Sequence, residues 1–180
     1  DINSGTVINL LDIGIGRIPA KNATEAGRYV DKLLAYYSAE SFGPWRNMMT
    51  FIADDEDGNL HFQDAELITA TAAATAPVFN QQKVYLDGTL ILNYNGHGGS
   101  NRLAEETILD HSVINSWNNK NRLPLFITAT CDFAPFDNPV IHSIGEDLLV
   151  RPLTGAIALM TTTRPVFAFS NRVMNNNYIR

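Results

Sequence analysis

The stretch Leu123–Cys131, LPLFITATC, decides the fold of this chain. Within it, Leu125–Ala129 is a continuous, largely apolar run of strand length and does not alternate between apolar and polar residues. Two further runs have the same character, Thr89–Asn93 and Ala156–Met160. Strands of this kind are buried on both faces, as they are in parallel sheets. The pattern therefore predicts a parallel sheet with both faces covered.

The remaining strand and helix signals alternate along the chain. Three further segments read as short strands: Val7–Leu11, Met48–Ala53 and Lys83–Leu86. Three helices are predicted from two capping-box matches, each followed by apolar residues, and from one additional segment. The matches are Asn22 with Glu25, before the stripe Ala26, Val30, Leu33, Leu34 and Tyr37, and Ser143 with Glu146; the segment is Ser112–Trp117. Alternating strands and helices indicate an α/β fold with a mainly parallel sheet.

Composition excludes several classes of protein. The 180 residues are 45% hydrophobic and 18% charged, so the chain can bury a core. Thirteen Lys and Arg against 19 Asp and Glu give a net charge of −6, which argues against a nucleic-acid partner. The single cysteine, Cys131, excludes a disulfide within the chain. No segment has the roughly 18–20 consecutive apolar residues of a membrane-spanning helix.

Two polar loops follow predicted strands and form the candidate site. The first is Asn93–Ser100 (NYNGHGGS), and the second is Thr128–Phe133 (TATCDF). Because ligands bind beyond the carboxyl ends of strands in open α/β sheets, His97 and Cys131 are expected at one edge. They are 34 residues apart, which is enough for a crossover helix and a return strand.

A thiol and an imidazole at one sheet edge fit nucleophilic catalysis. An imidazolium lowers the pKa of a nearby thiol from about 8.5 and can protonate a leaving amine. Gly96, Gly98 and Gly99 allow the main chain to approach a substrate carbonyl, and the N–H groups of Gly98 and Cys131 are candidate oxyanion-hole donors. Three other readings stay open at this point: a buried structural cysteine, a simple turn around His97, and a phosphate-binding glycine loop.

The two loops resemble the catalytic blocks of the gingipain-type cysteine peptidases, family C25. The similarity lies in Leu90–Gly99 (LILNYNGHGG) and Leu123–Asp137 (LPLFITATCDFAPFD). TATC followed by F-x-x-[FY]-D resembles PorU-type members of the type IX secretion system more than gingipains. Three other segments agree: Asp12–Pro19 (DIGIGRIP), Ala53–His61 (ADDEDGNLH) and Gly155–Arg164 (GAIALMTTTR).

The resemblance implies a caspase-like three-layer α/β sandwich with His97 and Cys131 as the catalytic dyad. It implies a cysteine endopeptidase, or sortase-like transpeptidase, that removes C-terminal sorting domains from exported cargo through a Cys131 acyl-enzyme. Its partners would be that cargo, other type IX outer-membrane components and an anionic lipopolysaccharide acceptor, at the extracellular face of the outer membrane. Thr130 and Leu103 depart from the gingipain pattern and put gingipain-like Arg or Lys specificity in doubt. A non-catalytic scaffold in an export complex and a general endopeptidase are the alternatives.

The resemblance also bears on an awkward junction. Asp87-Gly88 lies between two apolar runs and reads literally as a hairpin turn. Related chains have a loop and a helix at this place. We therefore predict a single catalytic domain over residues 1–180 that is incomplete, with residues missing between Asp87 and Gly88.

Further candidate residues surround the two loops. In the acidic cluster Asp54–Asp57, Glu56 or a neighbouring Asp is expected to orient His97, because gingipains place a Glu near here. Glu106 is expected to line the substrate cleft, and Thr162, Thr163 and Arg164 to shape a specificity pocket. The histidines show no metal-ligand spacing, so no metal or other cofactor is expected, although a structural Ca²⁺ remains an alternative.

Overall fold

The computed structural model describes residues 15–82 and 88–179. Five helices are present in this part of the chain: Ala23–Tyr36 (α1), Glu56–Thr75 (α2), His111–Ser116 (α3), Ile144–Val150 (α4) and Ala168–Ile179 (α5). Seven strands accompany them: Met48–Ala53 (β1), Asn80–Gln82 (β2), Ile91–Asn95 (β3), Arg102–Leu103 (β4), Leu109–Asp110 (β5), Leu125–Ala129 (β6) and Ala158–Met160 (β7). None of these helices is both long and apolar enough to cross a bilayer.

Five strands form one parallel sheet in the order β2-β1-β3-β6-β7, and β4 and β5 form a separate antiparallel ribbon. One face of the sheet packs against α2 and α5 around Met49, Ile68 and Ile127. The opposite face, toward α3 and α4, buries Tyr94 and Phe126. The predicted three-layer α/β sandwich with a mainly parallel sheet is confirmed.

Strand boundaries follow the sequence closely. β1 and β6 coincide with their predicted ranges, whereas β3 and β7 each begin two residues later than expected. At the start of β3 the Thr89 hydroxyl donates to the Met48 carbonyl, 2.8 Å away, so this side chain takes part in the entry to the strand. The predicted strands Val7–Leu11 and Lys83–Leu86 lie outside the described residues.

β2 and β3 are the described strands on either side of residues 83–87, which lie outside the described residues. β2 and β3 lie on opposite sides of β1 and both run parallel to it. They therefore do not pair with each other. Asp87 itself lies outside the described residues, so the expected loss of residues between Asp87 and Gly88 stays a prediction.

The predicted side chains cap the N-termini of α4 and α1. Ser143 and Glu146 make a complete capping box, in which each side chain accepts a hydrogen bond from the other residue's main chain. At α1 the Asn22 side chain accepts from the Glu25 N–H at 3.0 Å, but the Glu25 carboxylate accepts from the N–H of Lys21. The α1 box is therefore half formed, because Glu25 bonds one residue further upstream.

The prediction that α1 packs through its apolar stripe, Ala26, Val30, Leu33, Leu34 and Tyr37, is wrong. Three residues of its predicted apolar stripe are exposed, Val30 by 51%, Leu34 by 68% and Tyr37 by 74%. The helix instead turns Tyr29 and Lys32 toward β7 and α4, and the Tyr29 hydroxyl donates to the Ile157 carbonyl at 2.8 Å. Long side chains with polar tips can cover apolar surface when main-chain carbonyls satisfy the tips.

Lys32 is fully buried at the carboxyl end of α4. Its ammonium donates to the carbonyls of Leu148 at 2.8 Å and Leu149 at 3.0 Å, two of the groups that a helix end leaves without intrahelical donors. Burial, and next the repulsion from Arg151, lower the pKa of Lys32 to about 7. The folded chain therefore holds this proton less tightly than the unfolded chain does.

Stability is expected to depend on Lys32 between neutral and alkaline pH. The folded state loses this proton above about pH 7, whereas in the unfolded chain the pKa is near 10.5. Unfolding thus takes up a proton in this range, and the free energy of unfolding increases with pH by at most about 1.4 kcal/mol per unit. Urea unfolding of wild type and Lys32→Met at several pH values from 7 to 10 measures this contribution. Equal pH slopes in the two proteins would contradict it.

Candidate active site

The register between β3 and β6 brings the two predicted catalytic residues to the same edge of the sheet. Asn95, the last residue of β3, lies opposite Ala129, the last residue of β6. His97 and Cys131 each follow two residues later, at the carboxyl edge of neighbouring parallel strands. Adjacent strands are about 4.8 Å apart, so the two loops start side by side.

Main-chain and close-packing contacts hold the two loops together. The N–H of Gly96 donates to the Ala129 carbonyl at 3.3 Å. A Cβ on Gly98 would lie 2.7 Å from the Thr130 hydroxyl oxygen and 2.8 Å from Leu103 Cδ2, closer than side-chain contacts allow. Glycine at position 98 is therefore what lets the histidine loop pack directly against the residue that precedes Cys131.

The main chain of His97 is held from both sides. Its N–H donates to Asp54 Oδ2 at 3.1 Å, and its carbonyl accepts from the Tyr94 hydroxyl at 2.6 Å. The imidazole remains 48% exposed. Its orientation is set by Asp57, whose Oδ2 accepts from Nε2 at 2.8 Å.

Two carboxylates of the acidic cluster lie beside His97. Glu56 Oε2 lies 3.8 Å from His97 Nε2, so Glu56 contributes charge while its neighbour Asp57 makes the hydrogen bond. Asp57, Gly58 and Asn59 all adopt left-handed backbone angles, with φ between 51° and 67°. Asp and Asn tolerate this region better than other non-glycine residues. This run turns the Asp57 carboxylate toward His97 at the start of α2.

Glu56 has an unusual electrostatic environment. A hydrogen bond with the Glu105 side chain is the main cause that raises the pKa of Glu56 to about 7, and desolvation and Asp54 add to it. The positive charge of His97 acts in the opposite direction. Glu56 therefore changes its charge near neutral pH, immediately beside the imidazole.

Cys131 lies half-buried against the segment that follows β7. Its thiol donates to the Val166 carbonyl and accepts from the Val166 N–H, both at 3.5 Å. The next residue, Asp132, has a φ of 44°, so the chain turns sharply after the cysteine. The Asp132 N–H donates to the Arg164 carbonyl at 3.3 Å, which fixes this turn to the β7 side.

An open cleft of about 420 Å³ adjoins the histidine loop. It is lined by Glu56, His97–Arg102, Ala104 and Glu105, and Cys131 is not among its lining residues. The N–H groups of Gly98 and Cys131 donate no hydrogen bond within residues 15–82 and 88–179. Neither N–H group is therefore committed to an acceptor in the described part of the chain.

The residues predicted to contact substrate occupy different surroundings. Thr162 is buried, and its hydroxyl donates to the Thr130 carbonyl at 2.6 Å, so it supports the cysteine loop. Thr163 lines a separate pocket of about 160 Å³ together with Phe136. Arg164 is exposed and forms a bidentate pair with Asp137. The structure groups Glu106, which is exposed, with Asp54 and Asp55 rather than with the lining of the main cleft.

A buried cluster of three asparagines supports β3 and was not found from the sequence. Asn93 and Asn95 point toward α5, where Asn175 exchanges hydrogen bonds of 2.6 and 3.0 Å with Asn93. Asn175 also donates to Asn95 at 2.8 Å, and Asn95 donates to Asn93 at 2.8 Å. The alternation of β3 gives a weak signal, because polar residues at 93 and 95 face the same side.

His61 is a further residue near the site that the sequence did not reveal. It is only 8% exposed, and its Nε2 makes no hydrogen bond with any residue in the described part of the chain. Its ring packs edge-on against that of His97, with centroids 5.0 Å apart. The left-handed backbone at Asp57–Asn59 breaks the helical spacing between Asp57 and His61, so the sequence carries no signal for this contact.

Two other clusters of titratable side chains are present, one around His111 and one around Asp54. Contacts among neighbouring residues explain both. His111 lies 3.3 Å from Asp147 and stacks on His142 near the surface. Ligand oxygens of Asp54, Asp55 and Glu106 lie within 4.8 Å of one another, a set of the type that Ca²⁺ prefers. The Asp54 oxygens already accept from the N–H groups of Glu56 and His97, so this grouping alone does not define an ion site.

Strand-end histidine and cysteine loops on a parallel sheet covered on both faces define a caspase-like sandwich. The model of peptidase family C25 matches residues 3–180, and the chain belongs to that family. No curated protein matches the chain.

Solved structures of gingipain share the fold. The Arg-specific cysteine proteinase gingipain R (RgpB) superposes with a TM-score of 0.69 and 16% identity, over 89% of this chain and 43% of that one. The complex of Porphyromonas gingivalis RgpB pro- and mature domains gives 0.72 and 18%, over 94% and 46%. A structure described as a protease gives 0.72 and 19%, over 87% and 38%. This chain therefore spans less than half the length of each of these structures.

Substitution of Gly98 tests the packing between the two loops. An added methyl group at Gly98 would overlap Thr130 and Leu103, so Gly98→Ala is expected to lower the free energy of unfolding by about 1–3 kcal/mol. Gly99→Ala is the matched control, because a Cβ there meets no atom within 4 Å. Urea unfolding of the two variants measures the difference. Equal stabilities would show that the loops are not closely packed at Gly98.

Removal of the Glu105 charge tests the electrostatics beside His97. Glu105→Gln is expected to bring the pKa of Glu56 down from about 7 toward its ordinary value of 4.5, because the interaction that raises this pKa most is lost. NMR titration of the Glu56 carboxyl carbon measures the shift. Glu106→Gln removes a nearby charge that is not among the main causes of the Glu56 shift and should change its pKa much less. An unshifted Glu56 titration in Glu105→Gln would refute the pairing.

Proposed function

We propose that this chain is the catalytic part of a cysteine peptidase that acts as a sortase-like transpeptidase on secreted cargo. The observation that carries the proposal is the register of β3 and β6, which ends both strands level and continues them into His97 and Cys131. Membership of peptidase family C25 supports the same chemistry.

The proposed reaction begins with the thiol. The free Nδ1 of His97 takes the proton of Cys131, while Nε2 stays bound to Asp57. The thiolate sulfur then attacks the carbonyl carbon of the scissile peptide bond, and the carbonyl oxygen becomes an oxyanion held by the N–H groups of Gly98 and Cys131. When the C–N bond breaks, His97 returns its proton to the leaving amine and an acyl-enzyme remains on Cys131.

Two fates of the acyl-enzyme distinguish a hydrolase from a transpeptidase. Water releases a free carboxylate, whereas an amine acceptor forms a new amide and joins the cargo to that acceptor. By resemblance, the cargo would carry a C-terminal sorting domain, the acceptor would be an anionic lipopolysaccharide, and other type IX outer-membrane components would be partners. The site of action would be the extracellular face of the outer membrane.

The motif that carries the PorU-type resemblance has a structural role beside Cys131. Phe133 is buried in the core, Phe136 lies under the Arg17 guanidinium at 4.7 Å, and Asp137 pairs with Arg164. This motif thereby joins the cysteine loop to the segment after β7. We propose that the surface formed by Phe136, Asp137, Thr163 and Arg164 selects the substrate side chain next to the scissile bond.

A non-catalytic scaffold in an export complex is the second candidate. The observation that favours it is the position of Cys131, which contacts the Val166 main chain and does not line the cleft beside His97. A general endopeptidase of gingipain type is the third, and it differs only in accepting unrelated protein substrates.

The peptidase proposal predicts that Cys131→Ala abolishes cleavage of cargo bearing a sorting domain while the fold is retained. The active chain, incubated with tagged cargo and an amine acceptor, should release the sorting domain, and the mass of the remaining cargo separates hydrolysis from transfer. Full processing by Cys131→Ala would refute the assignment.

Thiol labelling separates the peptidase from the scaffold. Because Cys131 is the single cysteine, alkylation by iodoacetamide reports on this residue alone. In an active site it should react faster at neutral pH than a free cysteine peptide, and His97→Ala should remove the difference. A slow, histidine-independent reaction would favour the scaffold.

A further inference from the structure

Asp57, His61 and His97 form a group whose ligand atoms converge. One ligand atom from each residue lies within 4.8 Å of those of the other two. Asp57 Oδ2 is 2.8 Å from His97 Nε2 and 3.7 Å from His61 Nε2. The ligand atoms of a tetrahedral zinc site are about 3.4 Å apart when metal–ligand bonds are about 2.1 Å, so these distances lie on either side of the required value.

The buried Nε2 atom of His61 indicates that Asp57, His61 and His97 are suited to bind a ligand. Its side chain is nine-tenths buried, and its Nε2 is directed at the Asp57 carboxylate without forming a hydrogen bond. A buried polar atom without a partner destabilises the folded state. A metal ion bound between the two imidazoles and the carboxylate would satisfy this nitrogen.

We propose that Asp57, His61 and His97 bind a zinc-class divalent cation. Two imidazoles and one carboxylate match the ligand preference of Zn²⁺ and its transition-metal neighbours, whereas Ca²⁺ and Mg²⁺ require oxygen ligands. His97 and Asp57 are about half exposed, which leaves an entry path and a fourth position open to water. His61 supplies the buried ligand that holds the ion in place.

Metal binding at this position would inhibit the enzyme, an inference that rests on the proposed function. A metal bound at His97 Nε2 replaces the hydrogen bond to Asp57 and leaves the ring proton on Nδ1. The imidazole then cannot accept the proton of Cys131, and the thiol is not activated. Removal of the ion by a chelator restores the free imidazole, so the inhibition is reversible.

Direct binding tests the site independently of catalysis. Titration of the full chain with Zn²⁺ by calorimetry, and with Co²⁺ by visible absorption, should give one site in wild type and in Cys131→Ala. His61→Phe should weaken binding by more than about 100-fold, since loss of even an outer-shell partner costs about 10- to 100-fold. Asp57→Asn, an exposed substitution that suits the left-handed backbone, provides a second variant if His61→Phe fails to fold.

The control variant lies in the second group of histidines and carboxylates, which consists of His111, His142 and Asp147. His111→Ala disrupts the contact with Asp147 near His142 and should leave the affinity for zinc unchanged. Zinc affinity that is unchanged in both His61→Phe and Asp57→Asn, or lost only in His111→Ala, would overturn the proposed site.

Peptidase assays with and without Zn²⁺ test the inhibition, with each variant compared to its own activity in chelator. Wild type should lose activity at zinc concentrations that fill the site, and His61→Phe should not. If zinc fills the site and the peptidase is unaffected, the inhibitory role is wrong. If zinc binds and no variant or wild type cleaves any substrate, the proposed function fails while the metal site stands.

Discussion

The parallel register that places Asn95 of β3 opposite Ala129 of β6 is the constraint on which the rest of the site depends. It sets both strands to end level, so that His97 and Cys131 begin their loops side by side. A slip of one residue would reverse the faces of β3. Tyr94 would then leave the apolar cluster under α4, and the asparagines would leave their partner on α5.

The packing on both faces of the sheet makes that register costly to change. On the α3 and α4 side, Leu92, Tyr94 and Phe126 are almost completely buried. On the α2 and α5 side, the asparagines of β3 satisfy one another and Asn175 within an otherwise apolar layer. Buried amides of this kind are tolerated only in arrangements where each polar atom finds a partner, which favours one register over its neighbours.

Local patterns predicted β1, β3, β6, β7 and the two loops because their determining signals are short, whereas β2, β4 and β5 were not predicted. The apolar run before Cys131 and the Ser143 capping box depend on residues within one element, and both are formed as expected. The burial of Lys32 could not be predicted, because its partners are carbonyls 116 and 117 residues away. The choice of Asp57 over Glu56 as hydrogen-bond partner depends on left-handed angles that no periodicity reveals.

The asparagine cluster has a consequence for how the protein responds to acidity. Lys32 and Glu56 both change charge near neutral pH, one beneath α4 and the other beside His97. The amides of Asn93, Asn95 and Asn175 do not ionise, so the hydrogen bonds that hold β3 to α5 are the same on either side of those titrations. The strand that carries the histidine is thus anchored by a pH-independent support, while the groups around it respond to protons.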